Sequence, residues 1–255
     1  MERPKEIHSM SSERVDVAEI QEQICNVALT AATEPYFTHS RREIRSLLPS
    51  SASQILEVGP GGGFTLSWLK SIYPNATTVG VEINQGLESQ LRKNADEAIV
   101  GNIDECMFRL GKRFDLILLL DVLEHVPDPT RTLQSITKLL LTDGGRVIVS
   151  VPNIAHLSVT LPLLFQRKFT YRESGILDRT HLKFFVEDTA VRLLNDANLV
   201  VTDGLISGLE GPRSKAFDKL SLGLLRHHFA KQYIMAGSSV GSKVSQPKVN
   251  WKKIV

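Results

Sequence analysis

Apolar residues along this chain fall into two alternating kinds of run. Short, continuous blocks rich in β-branched residues and leucine occupy 55–58, 77–82, 98–100, 114–120 and 146–151. Blocks of that length and continuity suit strands buried on both faces of a parallel sheet. Between them apolar positions recur at helical spacing, as in 65–72, 130–141 and 186–197. Strand alternating with helix predicts an α/β domain with helices on both faces of its sheet. Strands at 199–205 and 232–236, with a helix over 217–229 between them, bring the expected sheet to seven strands, mostly parallel with an antiparallel last strand.

The flanks differ from this core, which is expected to span 50–238. Residues 1–14 are polar and expected to be loose. Over 15–49, Val17, Ile20, Ile24, Val27 and Ala31 keep helical spacing, and Glu34-Pro35 separates a second helix ending near Leu48-Pro49. This helical segment is expected to cap the sheet. After the fifth strand, 155–185 is a long insertion, apolar at Leu157, Val159, Leu161, Leu163, Leu164 and Phe165 and then polar. From Lys219 onward there are seven basic residues and no Asp or Glu, and 239–255 is expected to be a basic, disordered tail.

Composition narrows the class. Thirty basic and twenty-eight acidic residues leave a net charge of +2, too little to draw the whole molecule to nucleic acid or membrane. Cys25 and Cys106 are too few for a disulfide framework or a cysteine zinc site, which fits the cytoplasm. No secretory signal and no apolar run of about 20 residues is evident.

Chemistry concentrates after the first strand. Glu57-Val58-Gly59-Pro60-Gly61-Gly62-Gly63-Phe64 reads as strand end, tight glycine turn and helix start, a loop built to approach a ligand closely. A dinucleotide fingerprint needs glycine where Phe64 stands. Nineteen positions beyond Gly63, Glu82 ends the second strand, where a carboxylate can accept both hydroxyls of a ribose.

The Glu57-x-Gly-x-Gly-x-Gly spacing with Glu82 resembles motif I of class I S-adenosylmethionine-dependent methyltransferases. That resemblance implies a Rossmann-like fold, S-adenosylmethionine as cofactor, and a site made of Glu57, Gly59, Gly61, Gly63, Glu82, Ile83, Asn102, Ile103, Leu120 and Asp121. Asn102 stands where the family often has an acid beside adenine; its side-chain oxygen still accepts. Asp121-Val122-Leu123-Glu124-His125-Val126-Pro127-Asp128-Pro129, after the fourth strand, resembles small-molecule O-methyltransferases of the ubiquinone-biosynthesis type. Gly175-Ile176-Leu177-Asp178-Arg179-Thr180-His181-Leu182-Lys183-Phe184-Phe185 resembles methyltransferases of bacterial glycan pathways.

These strings imply methyl transfer to a hydroxyl of a small acceptor, a sugar or a lipid-linked intermediate. They lack the Asn/Asp-Pro-Pro-aromatic and Pro-Cys motifs of enzymes that methylate nucleic-acid bases, so a nucleic-acid substrate is disfavoured. A hydroxyl acceptor must lose a proton, and His125, then His181, are the candidate bases, with His156 a weaker one. No repeated ligand spacing marks a metal site, and none is expected. A non-catalytic cofactor-binding protein and a nicotinamide-dependent oxidoreductase are the rival readings. Oligomeric state leaves no trace in the sequence.

Overall fold

The computed structural model describes residues 39–209, 220, 225–239 and 248–254. The expected loose stretch 1–14, most of the 15–49 helical segment and most of the 217–229 helix lie outside these residues. The chain runs through a 3₁₀ segment, Arg42–Leu47, then β1 (Gln54–Val58), α1 (Phe64–Ile72), β2 (Thr77–Glu82), α2 (Glu88–Asn94), β3 (Glu97–Val100) and α3 (Ile103–Cys106). It continues through β4 (Phe114–Leu120), α4 (Pro129–Leu140), β5 (Leu141–Pro152), α5 (Leu157–Gln166), α6 (Glu187–Asp196) and β6 (Leu199–Ser207). A short turn of helix α7 (Arg226–Phe229), β7 (Gln232–Ser239) and β8 (Asn250–Lys253) complete it.

The strands form one sheet in the order β3-β2-β1-β4-β5-β7-β6-β8. β1 to β5 are mutually parallel, and β7 is antiparallel to both neighbours, as the sequence predicts. β4 is an uninterrupted apolar strand because both its faces are covered. Ile117 and Leu119 pack toward Leu133 and Ile136 of α4, while Leu116, Leu118 and Leu120 pack toward Leu66 and Leu69 of α1 and Ile44 and Leu47 of the 3₁₀ segment. The chain order reverses between β1 and β4, and open α/β sheets bind ligands beyond the carboxyl ends of the strands at such a point.

Two expectations need correction. The sheet has eight strands, since part of the supposed loose tail forms β8, parallel to β6. Trp251 lies flat over Gly204 of β6, where any side chain would collide with the ring, and its Nε1 donates to Glu187 at 2.7 Å. Lys252 meets Asp203 at 3.3 Å, so a basic residue marks pairing here, not solvation. β5 also begins before the expected 146–151 strand, at Leu141, and 142–145 enter it as an irregularity in its pairing with β4.

Candidate active site

The glycine loop after β1 is held to β2 through its backbone. Gly59 N–H donates to the carbonyl of Val81 at 2.9 Å, and Gly61 N–H donates to the Glu82 carboxylate at 2.8 Å. The other Glu82 oxygen accepts from Asn84 N–H at 2.9 Å. Glu82 is 4% exposed, and burial pushes its pKa up, opposed by the N–H groups of Asn84, Gly61 and Ile83. Gly59 takes a φ of 67°, and a Cβ there would meet Val122 Cγ2 at 2.7 Å, so this glycine lets the loop after β1 touch the segment after β4.

Glu57, one residue before the end of β1, is more isolated. Burial pushes its carboxyl up to about 8, against the pull of the Arg41 guanidinium and with a push from Glu82; the Thr65 hydroxyl bonds it. Its Oε2 has no hydrogen-bond partner among the described residues. A buried acid with an open oxygen, facing the crevice end of β1, is suited to a cationic ligand group.

Asp121, the first residue after β4, adopts φ 60°, a left-handed conformation that costs a non-glycine residue about 1–3 kcal/mol. Its surroundings hold it there. Its N–H donates to Ser150 Oγ at 3.0 Å, Ser150 Oγ–H donates back to Oδ1 at 2.9 Å, and Gln232 Nε2 also donates to Oδ1. Arg41 Nη1 donates to Oδ2 at 2.6 Å, while Arg41 Nε reaches Glu43 at 2.5 Å and Nη2 reaches Gln232 at 3.1 Å. Burial opposes the Arg41 charge, but Asp121 and Glu43 raise its pKa beyond the ordinary guanidinium value. Arg41, Ser150 and Gln232 carry no local sequence signal: Arg41 lies 80, 109 and 191 positions from Asp121, Ser150 and Gln232.

Glu124 and His125 follow in a 3₁₀ turn, and the insertion closes on them. The Glu124 carbonyl accepts from Leu182 N–H at 2.8 Å and Lys183 N–H at 3.1 Å. The insertion's ends are pinched by Ile154 N–H donating to the Phe185 carbonyl at 2.9 Å. His181 is thereby set edge-on to His125, ring centroids 4.8 Å apart. His181 Nδ1 lies 3.1 Å from the carbonyl of Ile176, and His125 Nδ1 lies 3.3 Å from the carbonyl and 3.0 Å from the hydroxyl of Thr180. Since a carbonyl only accepts, each ring carries its proton on Nδ1 and leaves Nε2 with a lone pair. Burial lowers both imidazole pKa values, with His181 adding to the effect on His125, so both rings are neutral near pH 7. Glu124 is 1% exposed with Oε2 unpartnered; burial, then Asp121, raises its pKa well above the ordinary carboxylate range.

Leu120 and Ile103 are buried at the same edge of the sheet and Ile83 is half-buried after β2. Asn102 caps α3, its Oδ1 accepting from Asp104 N–H at 3.0 Å, which leaves one lone pair for any further partner. His156 caps α5 through Ser158 and stands apart as a helix-start residue.

The glycine loop, the acid ending β2 and the polar segment after β4 meet at the reversal point of an open α/β sheet, which defines an enzyme fold built to hold a nucleoside-bearing cofactor. A methyltransferase-domain family model matches residues 34–203, and the chain belongs to that family, among the class I S-adenosylmethionine-dependent methyltransferases. A ubiquinone biosynthesis O-methyltransferase of Dinoroseobacter shibae is 29% identical over 170 residues, 64% of this chain and 66% of that protein. One of the same description from Azorhizobium caulinodans is 33% identical over 132 residues, covering 49% and 51%. The chain thus spans just under two thirds, or about half, of these relatives' length. Among solved structures, a SAM-dependent methyltransferase from Archaeoglobus fulgidus aligns with TM-score 0.58 at 16% identity, over 88% of this chain and 100% of that one. The plantazolicin methyltransferase BamL, in complex with a triazolic desmethylPZN analog and SAH, aligns with TM-score 0.58 at 14% identity, over 87% and 96%. At such identities the structural likeness speaks to the fold alone. Among the described residues, no helix is long and apolar enough to cross a membrane.

Proposed function

We propose that this methyltransferase moves the methyl group of S-adenosylmethionine to a hydroxyl of a small acceptor, with a lipid-linked intermediate favoured over a free sugar. The observation that carries the reading is the placement of the His125 imidazole, held through Nδ1 at Thr180, edge-on to His181 and beside buried Glu124. The sulfonium already activates the methyl, so the protein must align acceptor oxygen, methyl carbon and sulfur and remove one proton. His125, with His181 next to it, is where that proton leaves. Imidazoles kept neutral near pH 7 suit a base. The relatives' description as O-methyltransferases supports a hydroxyl acceptor.

In this reading Glu82 accepts from the ribose hydroxyls with the lone pairs left by Gly61 and Asn84. Gly59, Gly61 and Gly63 lie along the methionine moiety, and Glu57 takes the cofactor's ammonium on its open oxygen. Ile83, Asn102 and Ile103 flank adenine, and Leu120 and Asp121 border the sulfonium end. Support for a lipid-linked acceptor comes from the insertion, where Leu161, Leu163, Leu164, Phe165, Phe169 and Tyr171 are all exposed, Phe165 by 75%. That is a large apolar surface to leave in water.

S-adenosylhomocysteine release should be measured against paired acceptors with the same hydroxyl, one free and one carried on a polyprenyl chain. Faster turnover of the lipid-carried member, lost in His125→Ala with cofactor affinity kept, is the expected result. Turnover of amine acceptors alone would overturn the hydroxyl assignment.

A further inference from the structure

We propose that Glu124, His125 and His181 together hold a divalent first-row transition-metal ion on the acceptor side of the site. This rests on the hydroxyl-acceptor reading above and replaces its imidazole base, because the ion would bind the acceptor oxygen.

The three side chains each offer one ligand atom, and these atoms all lie within 4.8 Å of one another. Nitrogen and oxygen ligands sit about 2.0–2.2 Å from such an ion, so donors to a single ion are no more than roughly 4.2 Å apart. Closing the widest gap takes less than one ångström, within the reach of side-chain rotation. The chain separates His181 from His125 by 56 positions, and only the return of the insertion onto the Glu124 carbonyl brings them together.

Three features beyond proximity point to an ion. Both rings spend Nδ1–H on the main chain, at Thr180 and Ile176, which fixes the tautomer and aims Nε2 outward, as metal-binding histidines are usually held. Glu124 Oε2 is buried with no hydrogen-bond partner among the described residues, an unfavourable state that a cation relieves. The neighbouring acids are otherwise engaged: Asp121 by Arg41, Ser150 and Gln232, and Asp178 by Thr180, which leaves them as surrounding negative charge.

Two imidazoles and one carboxylate suit zinc, manganese, iron or cobalt better than magnesium, and a three-residue set keeps positions open for substrate. An acceptor hydroxyl bound there becomes more acidic and gives its proton to solvent. The oxygen then forms its bond to the methyl carbon as the carbon–sulfur bond breaks, and sulfur keeps the electron pair. With the ion seated, His125 and His181 act as its ligands, and the ion replaces an imidazole as the device that removes the proton. The same ion would tie the insertion to the turn after β4.

The test begins with full-length protein stripped by chelator and titrated calorimetrically with Zn²⁺ and Mn²⁺, with Mg²⁺ as comparison. One transition ion per chain, bound at least tenfold more tightly than Mg²⁺ and raising the melting temperature, is expected. His125→Ala and His181→Ala should each weaken binding at least tenfold, with S-adenosylhomocysteine affinity within about twofold of the parent. His181→Asp, which restores a ligand atom, should recover part of the metal affinity and guards against misreading a folding defect. Failure of the parent protein to bind Zn²⁺ or Mn²⁺ at one per chain overturns the proposal, as does unchanged affinity in both alanine variants. If the stripped parent protein binds neither ion yet still methylates its acceptor, the metal falls and the imidazole base stands. Loss of S-adenosylhomocysteine binding in His181→Ala would instead strike the acceptor-side placement beneath both.

Discussion

Glu57 offers a quantitative handle on the cofactor site. Its carboxyl is raised from 4.5 to about 8 by burial, so at pH 7 only about a tenth of the empty protein carries it ionised. If it receives the ammonium of the cofactor, binding must first remove that proton. The cost is about one factor of ten in affinity per pH unit below 8. Cofactor binding should therefore tighten roughly tenfold per unit between pH 6 and pH 7, level off near 8, and release close to one proton per cofactor at pH 6.5. The sign for stability is opposite. The empty folded state holds the proton more tightly than the unfolded chain, so this residue's contribution is fully present below 4.5 and is lost as pH rises through about 8. The full loss is on the order of 4–5 kcal/mol. Glu57→Gln should bind cofactor weakly with a flat pH profile, and should lose less melting temperature than the parent between pH 6 and 8. Calorimetry in two buffers of different ionisation enthalpy counts the proton. No proton release at pH 6.5, with a pH-independent dissociation constant in the parent, would refute the ammonium assignment.

Three further outcomes follow from the same geometry. Glu82→Ala strips the acceptor from Gly61 and Asn84 N–H as well as from ribose, so it should lower unfolding free energy by roughly 2–4 kcal/mol and cofactor affinity ten- to a hundredfold, read by urea melts and calorimetry. Gly59→Ala forces a side chain into φ 67° and onto Val122, and should cost roughly 1–3 kcal/mol in a urea melt together with loss of cofactor binding. Trp251→Ala should cost roughly 2–4 kcal/mol by opening the space over Gly204, whereas an unchanged midpoint would mean that β8 adds nothing to the sheet.

Physical range separates what the chain discloses from what it conceals. The fold showed in local pattern: 77–82 and 114–120 form strands over just those residues, because a strand covered on both faces has to be apolar throughout. The glycine loop and Glu82 were legible for the same reason, being consecutive stations of one strand–helix–strand unit. Apolarity alone does not say which side chains are buried. Leu163, Leu164 and Phe165 are apolar and exposed, since composition says that water is unfavourable without saying what replaces it. β8 escaped notice because an edge strand pairs through its backbone, and its Trp251 contacts, on Gly204 and Glu187, join residues 47 and 64 positions apart.

The chemistry of the site is still less local. Asp121 owes its left-handed backbone to Arg41, Ser150 and Gln232, contributed from before β1, from β5 and from β7, and none of these is recognisable without the sheet order β1-β4-β5-β7. His125 and His181 become a pair because the insertion returns to hydrogen-bond the Glu124 carbonyl. The strand ends fix the cofactor side of the crevice, so its residues follow a spacing that a linear motif records. The acceptor side proposed above is assembled from the turn after β4 and the far end of an insertion, so its spacing is set by loop length. Loop length varies at small energetic cost. The methyl donor was therefore readable from the chain, while the group that receives the methyl depends on contacts made only after folding.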